Sequence, residues 1–186
     1  MRFRFHSTVC AVAPSLLFLG LALSSNAHVV LEDQAALAGS SYKAVFRVGH
    51  SCPGAATTGI TVRLPAGFQG AKPMPKAGWG LETRLAPLAQ PYNSHGKTIT
   101  EDVAEVRWTV KNVADALPDG WYDEFVLRGT LPKTAGALWF KVLQNCTKGQ
   151  LDWAEIPSSG TSTKGIKAPA ALLEVLPSGA QQGHSH

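Results

Sequence analysis

The sequence predicts an all-β fold: one β-sandwich domain of about seven to nine strands, of the immunoglobulin/cupredoxin-like class. Apolar residues recur at every second position through most of the chain, so each strand buries one face. The 18 glycines and 12 prolines fall largely between these runs, and short alternating strands divided by turn residues pack as two sheets. No stretch shows the periodicity of an amphipathic helix.

The strands follow in order. Tyr42, Ala44, Phe46 and Val48 alternate with Lys43 and Arg47, and Ile60, Val62 and Leu64 alternate with Thr61 and Arg63. Val106, Trp108 and Val110 form a third run; Phe125 and Leu127 form a fourth behind the acidic pair Asp123 and Glu124. Leu138, Phe140, Val142, Gln144 and Cys146 form a fifth, Leu151, Trp153 and Glu155 a sixth, and Leu172 to Leu176 a last strand. Two stretches read as loops. Lys72 to Trp79 carries two prolines, which a central strand does not accept. Pro91 to Lys97, with Tyr92 and His95, reads as an exposed excursion.

Ahead of these strands the chain opens as a secretory signal. Arg2 and Arg4 precede an apolar run from Val9 to Leu23, followed by the small-x-small site Ser25-Asn26-Ala27. A run of about fifteen residues is short for a membrane span, which takes about twenty. The expected organisation is a signal peptide over 1–27, the sandwich over 28–178, and a polar tail over 179–186 containing His184 and His186. Export implies a periplasmic or extracellular location. The formal net charge is +4, of which Arg2 and Arg4 supply two. The remaining basic residues are scattered without interleaved aromatics, which argues against nucleic acid as a partner. Cys10 leaves with the signal. Cys52 and Cys146 remain as an even pair in an oxidising compartment and are expected to form a disulfide.

Cleavage after Ala27 makes His28 the first mature residue, with an α-amino group and an imidazole on one residue. Both deprotonate readily near neutrality, and together they chelate a metal ion. Nitrogen ligands in a tetragonal set suit Cu(II), which also heads the divalent affinity series. His50 and Cys52 are two apart and share a face in extended chain. A four-residue turn Thr147–Gln150 pairs Cys146 with Leu151, sets Gln144 opposite Trp153, and places Trp153 on the face of Cys146. Trp153 is then either core or a cap on a metal, and His50 either an ordinary loop histidine or a ligand. Glu32 and Asp33 are candidate carboxylates, but four residues of strand span about 13 Å, so Glu32 reaches the ion of His28 only if the chain bends. Glu155 is an alternative. There is no Gly-x-Ser-x-Gly elbow, His-Glu-x-x-His or phosphate loop, and the adjacent Asp123 and Glu124 point to opposite faces of a strand.

The start His28-Val29-Val30-Leu31 is followed by Ala38-Gly39-Ser40 and by His50-Ser51-Cys52 with Thr57-Thr58. Then come Pro73-Met74-Pro75-Lys76-Ala77-Gly78-Trp79, Tyr122-Asp123-Glu124-Phe125, Gln144-Asn145-Cys146 and Trp153-Ala154-Glu155-Ile156-Pro157. In this combination and order the mature chain resembles the YcnI-like family of exported copper-binding proteins over nearly its whole length. The resemblance implies a β-sandwich holding Cu(II) in a one-histidine brace, with His28 supplying the amine and ring nitrogens, Trp153 lying at the metal, and a glutamate as helper. Many relatives have an acidic residue about where this chain has His50-Ser51-Cys52, so His50 and Glu32 both stand for the third ligand. It also implies a non-enzymatic role in copper trafficking or homeostasis. The partners would be a membrane copper transporter or other periplasmic copper carriers. The alternatives are a histidine-brace copper oxidase or monooxygenase, which needs His50 or His95 as a second histidine, and a metal-free interaction module using the loops around Trp79 and Tyr92.

Overall fold

The structure is a computed structural model and describes residues 28–50 and 52–179. The expectations placed on residues 1–27 and on the His184/His186 tail lie outside the described residues. Eleven strands are present among them: β1 (Val30–Leu31), β2 (Ala35–Leu37), β3 (Ser41–Val48), β4 (Thr57–Arg63), β5 (Gln69–Pro73), β6 (Trp79–Ser94), β7 (Lys97–Val110), β8 (Asp123–Thr130), β9 (Gly136–Cys146), β10 (Gln150–Trp153) and β11 (Ala171–Leu176). One 3-10 turn, Val113–Asp115, interrupts them. One sheet has the order β1-β3-β8-β5. The other runs β2-β11-β9-β4-β7-β6, with β10 added to β9. Strand β9 pairs with β4 along one edge, through Lys141–Cys146. Its other edge is shared by β11, at 136–140, and β10, at 142–145.

The two sheets close on each other through the alternating residues. Tyr42, Ala44, Phe46 and Val48 of β3 and Phe125 and Leu127 of β8 are buried from one side. Ile60, Val62, Val106, Trp108, Phe140, Val142, Leu173 and Val175 are buried from the other. Aromatic rings bridge the layers edge to face: Phe46 meets Phe140 at 5.5 Å and Trp108 meets Phe125 at 5.6 Å between centroids. Burying such a side chain contributes about 1.5–3 kcal/mol, and each edge-on pair about 0.5–1.5 kcal/mol more. The Trp108 indole N–H donates to the Met74 carbonyl at 3.0 Å, so its polar atom enters the core satisfied. Gly129 is required by close approach: a Cβ there would lie 2.4 Å from Phe68 Cε1.

Two loop expectations are corrected. The proline-rich stretch begins as strand, because β5 runs through Lys72 to Pro73. It lies at the edge of its sheet, where a missing N–H costs no ladder bond. Pro91–Ser94 is the end of β6, paired with β7 through Tyr92↔Ile99 and Ser94↔Lys97. His95 and Gly96 form the turn, with φ of 47° and 76°, the positive pair that a two-residue hairpin turn demands. Strand β6 was not expected because Trp79 is its only buried residue, so no buried face marks it by alternation.

The β9–β10 register also differs. Leu151 pairs with Gln144 and Trp153 with Val142, and the Cys146 amide donates to the Gly149 carbonyl at 3.1 Å. The turn is therefore Thr147-Lys148, with Gly149 at φ 80°. The slip from the expected pairing is two residues, and side chains alternate with period two, so every side chain keeps its face.

Candidate metal centre

Val29 and Leu31 are buried, and β1 pairs its two residues with Arg47 and Phe46 of β3. This short strand is enough to fix His28 at one end of the sandwich. The His28 ring is half-buried and stands edge-on to Trp153, at 5.5 Å between centroids and 67° between planes. Trp153 is only 6% exposed. The His28 Nε2 atom is buried and has no hydrogen-bond partner. Such an orphan costs about 1–3 kcal/mol. Nδ1 is, by covalent structure, the ring nitrogen nearest the main chain. An open cavity of about 500 Å³ is lined by His28 together with Gln34, Thr161, Ser162, Thr163 and Lys164.

Behind Trp153 lies a chain of polar contacts. The Trp153 indole N–H donates to Gln144 Oε1 at 3.0 Å. Gln144 Nε2 donates to the His50 carbonyl and to Thr57 Oγ1, both at 2.8 Å. Gln144 is fully buried, both of its donors are used, and one lone-pair direction of its oxygen is filled. The Cys52–Cys146 disulfide closes the same region, across a sequence separation of 94. The Cys52 amide also donates to Cys146 Sγ at 3.1 Å, and Cys146 pairs with Thr57 across β9 and β4.

His28, His50, Trp153 and the disulfide thus occupy one neighbourhood. His50 joins through its backbone carbonyl, and the residue is exposed. Glu32 is exposed beyond the end of β1 and bonds through its amide to the Val45 carbonyl. Its charge and that of Asp33 act on Tyr42, whose hydroxyl pKa is raised by burial first and by these two carboxylates second. The exposed Glu155 accepts from the Ala168 amide. Among the described residues no three His, Cys, Asp or Glu side chains converge as metal ligands. His95, in the β6–β7 turn, belongs to no such group either. A brace makes a different demand, because two of its donors come from one residue. At His28 the ring packs against Trp153 with Nε2 buried, and Nδ1 is the ring nitrogen covalently nearer the main chain.

Two further pairs organise this end of the sandwich. Arg47 Nε donates to the Tyr122 hydroxyl at 2.9 Å, and Tyr122 donates to Glu124. Lys76 Nζ lies 2.6 Å from Asp123. The residue that sequence reasoning passed over is Gln144. Its signal was present, as the one hydrogen-bonding amide on the buried face of the run Leu138, Phe140, Val142, Gln144, Cys146.

The sequence model of a family described as a domain of unknown function, DUF1775, matches residues 28–175. No functionally curated protein matches the chain. Among solved structures, the chain is similar to an uncharacterized protein from Nocardia farcinica, whose crystal structure is described as an immunoglobulin-like fold. The two are 24% identical with a TM-score of 0.61, over 80% of this chain and 97% of that one. That likeness carries the immunoglobulin-like β-sandwich to this chain. No helix among the described residues is long and apolar enough to cross a membrane.

Proposed function

The chain belongs to the DUF1775 family, and from that premise we propose that it is an exported, non-enzymatic copper(II)-binding protein of copper trafficking or homeostasis. The ion is its cargo, held in a one-histidine brace at His28 once the signal is removed. The observation that carries this reading is the state of His28 itself: half-buried, edge-on to a buried tryptophan, with one ring nitrogen buried and the residue lining an open cavity. Cleavage after Ala27 would turn its peptide nitrogen into an amine, which with Nδ1 would complete a chelate of the nitrogen donors that Cu(II) favours. The resemblance to YcnI-like proteins supports the same assignment. It extends the reading to a periplasmic or extracellular location and to a membrane copper transporter or another copper carrier as partner.

The test compares the chain beginning at His28 with one carrying a single extra residue before it. Each is titrated with Cu(II) against a competing chelator and followed by electron paramagnetic resonance. The brace predicts one tight equivalent with nitrogen hyperfine structure in the first chain and loss of that site in the second. A second reading, a metal-free interaction module, is favoured by the ligand count: no trio of ligating side chains converges among the described residues, and the domain's two cysteines are bonded to each other. On that reading the two chains bind Cu(II) alike and weakly.

A further inference from the structure

We propose that Gln144 is the positioning residue of the His28 site: its side-chain amide sets the Trp153 indole against the His28 ring and ties that indole to the backbone at His50. The inference rests on the brace reading for its functional meaning, although the positioning itself can be measured without metal.

A buried primary amide in a strand that otherwise buries leucine, phenylalanine and valine is costly unless its donors are satisfied. Here both are, by acceptors from two different segments, the His50 carbonyl and Thr57 Oγ1. With the amide nitrogen committed to those two acceptors, the oxygen is held facing Trp153, and the indole N–H donates to it at 3.0 Å. A tryptophan side chain has two torsions, and a bond to its only polar atom removes most of the remaining freedom. The face that Trp153 offers to His28, at 67° between planes, is therefore set by where Gln144 holds Nε1. Gln144 is itself held by three neighbours. It pairs with Ile60 across β4 and with Leu151 across β10, and it lies two residues from the disulfide at Cys146. Methionine would fill much the same volume but offer Trp153 only a weak thioether acceptor, and leucine would offer none.

The experiment uses the chain beginning at His28, labelled with 15N in its indole groups, with the Trp153 resonance identified by its loss in Trp153→Phe. Without metal, the Trp153 indole N–H should exchange with solvent at least about tenfold more slowly than that of Trp121, which is 67% exposed. In Gln144→Met, folded by circular dichroism, that protection should fall by about tenfold. Cu(II) affinity should fall with it, and the copper hyperfine splitting should change. Adding Gln144→Met to Trp153→Phe should weaken copper no further than Trp153→Phe alone.

Fast exchange of the Trp153 N–H in the unsubstituted chain overturns the proposal without any variant, so a Gln144→Met chain that fails to fold does not protect it. Persistent protection in folded Gln144→Met overturns it too, as does a copper loss that adds fully to that of Trp153→Phe. If the exchange results hold while the unsubstituted chain binds no copper tightly, the brace reading fails and the positioning of Trp153 stands.

Discussion

Breaking the Cys52–Cys146 crosslink should lower stability by an amount that the chain connectivity sets. The bond joins residues 94 apart. In the chain-entropy treatment a loop of about a hundred residues corresponds to about 4.7 kcal/mol, against a usual range of about 2–4 kcal/mol for disulfides. The Cys52 amide also loses its acceptor, Cys146 Sγ at 3.1 Å. For a domain of this size each kcal/mol moves the melting temperature by about 2–4 °C, so at about 4.7 kcal/mol Cys52→Ala/Cys146→Ala should melt about 9–19 °C lower. Thermal unfolding followed by circular dichroism reads this directly. Urea unfolding supplies an independent sign: without the crosslink the unfolded chain expands, so the slope m should rise as the midpoint falls. A melting shift under about 3 °C with an unchanged m would refute the reasoning, because it would mean the unfolded chain is no less constrained without the bond.

The other predictions concern packing and titration. Gly129→Ala would set a Cβ 2.4 Å from Phe68 Cε1 and 2.9 Å from the Gln69 carbonyl oxygen; it should destabilise by about 1–3 kcal/mol, measured by urea unfolding, whereas Gly120→Ala, with open space at its Cβ, should not. Tyr92 donates its hydroxyl to Asp102 at 2.7 Å, and its pKa is pushed up to about 12 by desolvation first and by Asp102 second. A raised pKa means that Tyr92 contributes stability that is complete below pH 10 and is lost as pH rises through about 12. Ultraviolet difference titration should show a phenolate step near pH 12 that disappears in Tyr92→Phe.

How much could be read in advance depended on how far each residue's environment follows from local pattern. The runs at Tyr42–Val48, Leu138–Cys146 and Leu172–Leu176 alternate because one side of each faces a core, so β3, β9 and β11 were legible. Strand β6 was not, with Trp79 its only buried residue, and β1 and β2, of two and three residues, are too short for a period to register. The face of Trp153 was legible although its pairing partner was not. The hairpin closes two residues tighter than expected, and a two-residue slip moves a side chain along the strand without turning it over.

By itself the sequence determined the class of fold, the pair of cysteines available for crosslinking and the two aromatic residues, His28 and Trp153, worth watching. Periodicity, composition and residue chemistry are local properties, written into the chain one segment at a time. Only the tertiary structure decided that the His28 ring meets Trp153 and that a buried Gln144 amide links Trp153 to the backbone carbonyl of His50. Those relations depend on how two sheets are superposed and on the register of β1 against β3 and of β10 against β9. No local pattern carries that information, because packing across the sandwich is settled by every strand at once.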